Sequence, residues 1–125
     1  MADKTLATLD HKHKEFSYYG SIRDGVVLRQ SGDPQIDASF FTAALSHFAG
    51  RTVMGGFSED NPIKGGFGQW VEDASPRLNS RTLSPRHGSF MAAILCSEAG
   101  VKPSLDGNAV VLQFPMVPKR DQRSS

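Results

Sequence analysis

The apolar positions of this chain change period several times, and each change marks an element. Phe16, Tyr18, Tyr19 and Ile22, followed by Val26, Val27 and Leu28, favour extended chain. Asp24-Gly25 between them supplies the positive φ angles of a tight turn, so Phe16 to Gln30 reads as a hairpin that Ser31-Gly32-Asp33-Pro34 ends. Phe40, Phe41, Ala44, Leu45 and Phe48 then recur at helical spacing. They predict a helix over about Ala38 to Ala49, capped by Asp37 and stopped by Gly50. Burying each large side chain contributes on the order of 1.5–3 kcal/mol, so its phenylalanines make this a main packing helix.

Thr52-Val53-Met54 is a short strand that runs into Gly55-Gly56, a pair suited to a bulge or a close backbone approach. Phe67, Trp70, Val71 and Ala74 fall at i, i+3, i+4 and i+7 and predict a short helix that Ser75-Pro76 closes. A second helix opens with Ser84 as N-cap and Pro85 in the first position, and Gly100 closes it. Its middle, Phe90 to Cys96, is apolar almost all round, so it belongs in the interior or in a subunit interface. Asp106-Gly107 makes a turn before the strand Ala109 to Phe114, which Pro115 and Pro118 stop. The order β-β-α-β-α-α-β implies an α+β fold, with about four mainly antiparallel strands packed on about three helices.

No repeat or internal linker divides the chain. Residues 15–118 read as one domain, between flexible tails at 1–14 and 119–125 that are polar and charged. A chain of 125 residues, 38% hydrophobic, needs neither disulfide nor metal to build a core. The net charge of +1 removes any general drive toward nucleic acid or anionic membranes. Cys96 is the only cysteine, the N-terminus lacks a signal-peptide pattern, and no window approaches 18 apolar residues. Together these point to a cytoplasmic protein without a membrane span.

Candidate chemistry concentrates between Asn61 and Gly100. Two helices start there, each beside basic residues: Lys64-Gly65-Gly66-Phe67-Gly68 and Ser84-Pro85-Arg86-His87. A helix start exposes unpaired N–H groups and the positive end of the dipole, so Lys64, Gly65, Gly66, Arg86 and His87 form a candidate anion site, with Trp70 as its wall. The glycine-rich turn fits neither the nucleoside-triphosphate loop nor the dinucleotide fingerprint, and position 71 is valine where the latter needs glycine. No cofactor follows from it. The competing view is that these glycines only let the chain turn and let Phe67 and Trp70 dock.

Other chemistries have thinner support. Cys96 lies toward the C-terminal end of its helix, the wrong end for a thiolate. His11 and His13 lack further ligands, and His47 has no partner four residues away, so no metal site is expected. Helix-turn-helix recognition fails because about nine residues separate the two helices and the second is apolar through its centre, so nucleic-acid binding is not expected on this pattern. The leading expectation is a binding or regulatory module for an anionic small molecule. The alternatives are an enzyme in which His87 acts as general acid or base with Glu59, Asp60, Glu72 or Asp73 beside it, and a homodimer formed through the apolar helix.

Overall fold

The computed structural model describes residues 3–9, 14–30, 32–58, 63–106 and 109–116. Ten elements follow in order: β1 Lys4–Ala7, β2 Glu15–Ser21, β3 Gly25–Leu28, β4 Gln35–Ile36, α1 Ala38–His47, β5 Thr52–Met54, α2 Phe67–Leu78, α3 Pro85–Glu98, β6 Lys102–Asp106 and β7 Ala109–Gln113. The α+β class and the strand–helix order match the sequence pattern. The strands form two antiparallel sheets, β1-β2-β3-β4 and β5-β7-β6.

The hairpin of β2 and β3 closes through Ile22-Arg23-Asp24, with Ser21 opposite Gly25. The Asp24 amide donates to the Ser21 carbonyl at 3.2 Å, and the positive φ falls on Gly25 alone of the expected pair. Alternation then sorts the side chains. Phe16, Tyr18, Val26, Leu28 and Ile36 are buried, whereas Tyr19 on the opposite face is exposed.

Three strands depart from the sequence expectation. Lys4–Ala7, assigned there to a flexible tail, is an edge strand in which Leu6 pairs with Phe16. Only Leu6 of its four side chains is even half-buried, so the edge of β2 creates this strand and no apolar pattern announces it. β4 is two residues long, and β6 contains Pro103 with all five residues exposed. Both borrow their order from the neighbours they pair with. The turn at Gly107 and the tail 119–125 lie outside the described residues.

α2 also runs further than expected, through Pro76 to Leu78. Proline removes the hydrogen bond to the carbonyl four residues back, here Glu72. Both residues face solvent, where water can hydrate that carbonyl, and the Asn79 amide still closes the last turn on the Ser75 carbonyl at 3.0 Å.

The core centres on α3. Phe90, Met91, Ala92, Ala93, Ile94 and Leu95 are all buried within the one chain, so the apolar surface that suggested a subunit interface is covered by the protein's own elements. Phe16 meets Phe90 edge to face at 4.9 Å between ring centres. Phe48 of the α1 cap meets Phe114, just beyond β7, at 5.0 Å, which joins the second sheet to the helices. Asp37 starts α1 without capping it through its side chain. Its carboxylate accepts instead from the Ser80 amide and hydroxyl at 2.6 and 2.9 Å, and its own amide donates to Asn79 Oδ1 at 2.7 Å. That clasp fixes the start of α1 against the end of α2. Among the described residues no helix is long and apolar enough to cross a membrane.

Candidate functional site

Backbone contacts determine where α2 begins. The Gly68 amide donates to the Gly55 carbonyl at 2.7 Å, and a Cβ at Gly68 would stand 2.2 Å from the Gly56 carbonyl oxygen. A Cβ at Gly88, in the first turn of α3, would lie 3.3 Å from the Gly68 Cα. Only glycine allows three backbones to approach this closely. The glycine-rich stretch is therefore a packing device, and one first-turn amide of α2 is already used by the fold. The Gly66 amide, which precedes the helix, donates to the Ile63 carbonyl at 2.9 Å.

Beside this start lies an open depression of about 260 Å³. Lys64, Gly65, Gly66, Gln69, Trp70 and Asp73 line it from the α2 side, and His47, Phe48 and Arg51 line it from the end of α1. Trp70 stacks on Phe40 at 4.9 Å and on His47 at 5.6 Å, so α1 holds the indole through two rings seven residues apart. Arg51 donates to the His47 carbonyl at 3.3 Å and its guanidinium sits 5.7 Å from the centre of the Phe48 ring. It thereby offsets the negative end of the α1 dipole. Asp73 Oδ1 accepts from Gln69 Nε2 at 2.9 Å. The ion pairs formed among the described residues, Lys4–Glu98 and Arg29–Asp3, involve none of these charges.

Four of the six residues singled out from sequence thus share one depression: Lys64, Gly65, Gly66 and Trp70. Arg86 lines a different one, of about 250 Å³, with Lys14, Glu15, Gln30 and Ser89, and the two depressions have no residue in common. The two helix starts do meet, but they meet backbone to backbone at Gly68 and Gly88. Lys64 and Arg86 serve separate surfaces.

His87 lines neither depression. It takes the place of the usual Glu or Gln in a capping box. Its Nδ1 accepts from the Ser84 amide at 3.1 Å and lies 3.2 Å from the Ser84 hydroxyl. The amide bond leaves Nδ1 unprotonated and the ring proton on Nε2. Of the carboxylates proposed beside it, Glu72 and Asp73 are exposed on α2 and share the Gln69 amide, while Glu59 and Asp60 lie outside the described residues. His11 and His13 lie outside them too. Cys96 is half-buried, and burial pushes its thiol up to about 11, which keeps it protonated and unreactive.

Nothing in the sequence assigns His47, Arg51 or Gln69 to the anion site, and Asp73 enters there only as a carboxylate for His87. His47 and Arg51 reach the depression because α1 ends there, and Gln69 and Asp73 because one face of α2 carries positions 66, 69 and 73. Only the second relation could be read from spacing. The packing of α1 on α2 could not.

A further polar cluster ties the first sheet to α3. Glu98 accepts from the Tyr18 hydroxyl, from the Ile22 amide at 3.1 Å and from Lys4 Nζ at 3.2 Å. Burial opposes ionisation of Glu98, but those three donors outweigh it and hold the carboxyl below the usual range. Burial, then the bond to Glu98, raises the Tyr18 hydroxyl well above its ordinary value. In comparisons of sequence and of fold, the chain matches no protein-family model, no curated protein and no solved structure.

Proposed function

We propose that this protein is a small binding module that takes an anionic group of a small molecule in the depression between the end of α1 and the start of α2. One observation carries the reading: Lys64 and Arg51 converge on an aromatic-lined hollow, and neither is in an ion pair among the described residues. Two cations left without a carboxylate partner attract an anion. The exposed turn at Gly65 allows a guest to approach the main chain, His47 and Trp70 line the hollow with stacked rings, and the dipole of α2 adds a smaller favourable field. Arg86 forms a separate cationic point outside this site.

The reading in which His87 transfers protons has less to rest on, because the Ser84 cap occupies its Nδ1. A homodimer through α3 loses its motive for the same kind of reason, since that helix is the core. The half-buried, unreactive Cys96 suits a reducing, cytoplasmic setting. Titration with inorganic phosphate and with acetate, followed by amide chemical shifts, tests the proposal. Selective, saturable movement of Lys64, Gly65, Gly66 and the Trp70 indole is expected. Uniform small shifts spread over the surface would refute it.

A further inference from the structure

The hollow beside α2 is lined by charges of both signs, and we infer that its guest is a small zwitterion, an anionic group joined through a few atoms to an ammonium. This rests on the binding reading above and assigns Asp73 as the specificity-determining residue. Gly66 and Asp73 lie on one face of α2, and seven residues separate them, about 10.5 Å along the axis. Lys64 stands just before the positive end of that helix, and Asp73 stands about two turns further along and lines the same depression. Gln69, between them, donates to Asp73 at 2.9 Å and orients its carboxylate.

The important point is what the three charges leave undone. Arg51, Lys64 and Asp73 line one hollow, yet no ion pair joins them. A carboxylate in that position repels a simple anion, and it attracts one that brings its own cation. Specificity here comes from a repulsive element as well as an attractive one. At about 260 Å³ the hollow falls below the roughly 300–1,000 Å³ of sites for drug-sized ligands, so the guest is small.

Ethyl phosphate and 2-aminoethyl phosphate, which differ in having a methyl or an ammonium at one end, separate the two terms. Affinities come from the shifts of the Gly65, Gly66 and Gln69 amides in wild type and in Asp73→Asn. The ammonium compound should bind about fivefold more tightly to wild type, the size of one partly exposed charge contact. Asp73→Asn should abolish that ratio and leave ethyl phosphate bound at least as tightly as before. Equal affinities in wild type, or an unchanged ratio in the variant, would overturn the zwitterion assignment while leaving anion binding intact. If neither compound moves those amides, the binding reading itself falls, and this inference with it.

Discussion

Removing the Glu98 carboxylate should cost this fold far more than an ordinary surface charge, because one side chain accepts from β1, from β2 and from the turn that follows β2. The Tyr18 residue is 1% exposed, so its hydroxyl would be left without its carboxylate partner in Glu98→Ala, at a cost of about 1–3 kcal/mol. The Ile22 amide loses its acceptor in a part-buried turn, which adds about 1 kcal/mol. Lys4 is half exposed and its ion pair adds about 0–1 kcal/mol. The total is about 2–5 kcal/mol, measured as a shift in the urea midpoint at constant slope, with circular dichroism as the signal. Tyr18→Phe removes the donor together with its need for a partner, so Glu98→Ala should cost less in that background. The pH dependence has a fixed sign. The carboxyl titrates lower in the folded chain than in the unfolded one, so its stabilisation is complete above the unfolded value and fades as pH falls through the folded one. Glu98→Gln should therefore flatten the acid limb of the stability curve. A cost below about 0.5 kcal/mol, of the order of an ordinary surface change, would refute the reasoning, as would full additivity with Tyr18→Phe.

Other consequences are simpler. Gly68→Ala would place a methyl 2.2 Å from the Gly56 carbonyl oxygen and should destabilise by at least about 1–3 kcal/mol in thermal melts. Gly65→Ala, with open space but φ of +80°, should cost only about 1 kcal/mol. A comparable loss at both positions would contradict the packing role given to Gly68. His87→Ala should lose about 0.5–2 kcal/mol of stability and His87→Gln should recover most of it, since glutamine restores the capping box. A glutamine variant no better than alanine would show that the imidazole does something besides capping. Cys96 should react with a thiol reagent at pH 8 about a hundredfold more slowly in the folded chain than in urea, because burial lifts its thiol to about 11 from an ordinary 9.0. Equal rates would place the sulfur in solvent.

Side-chain periodicity made most elements legible, because each of them buries a face. Phe40, Phe41, Ala44 and Phe48 mark α1, and the run from Phe90 to Leu95 marks the core helix. What stayed hidden was bought by neighbours: β1 and β6 have few buried side chains and exist because β2 and β7 offer free edges. Pro76 misled about the end of α2 because the bond it forfeits faces water. The site was half legible. Local turn chemistry pointed to Lys64, Gly65, Gly66 and Trp70, which do share a hollow. Arg86 does not join them, and Arg51 does, because the packing of helices and not local spacing decides which cations converge.

Lys64 and Arg86 are separated most directly by one measurement, the phosphate affinity of single-charge variants read from the indole signal of Trp70. Lys64→Met and Arg51→Met should each weaken binding about threefold to tenfold, and Arg86→Met should leave it at the wild-type value. An Arg86→Met protein that binds as poorly as Lys64→Met would contradict a site built between α1 and α2.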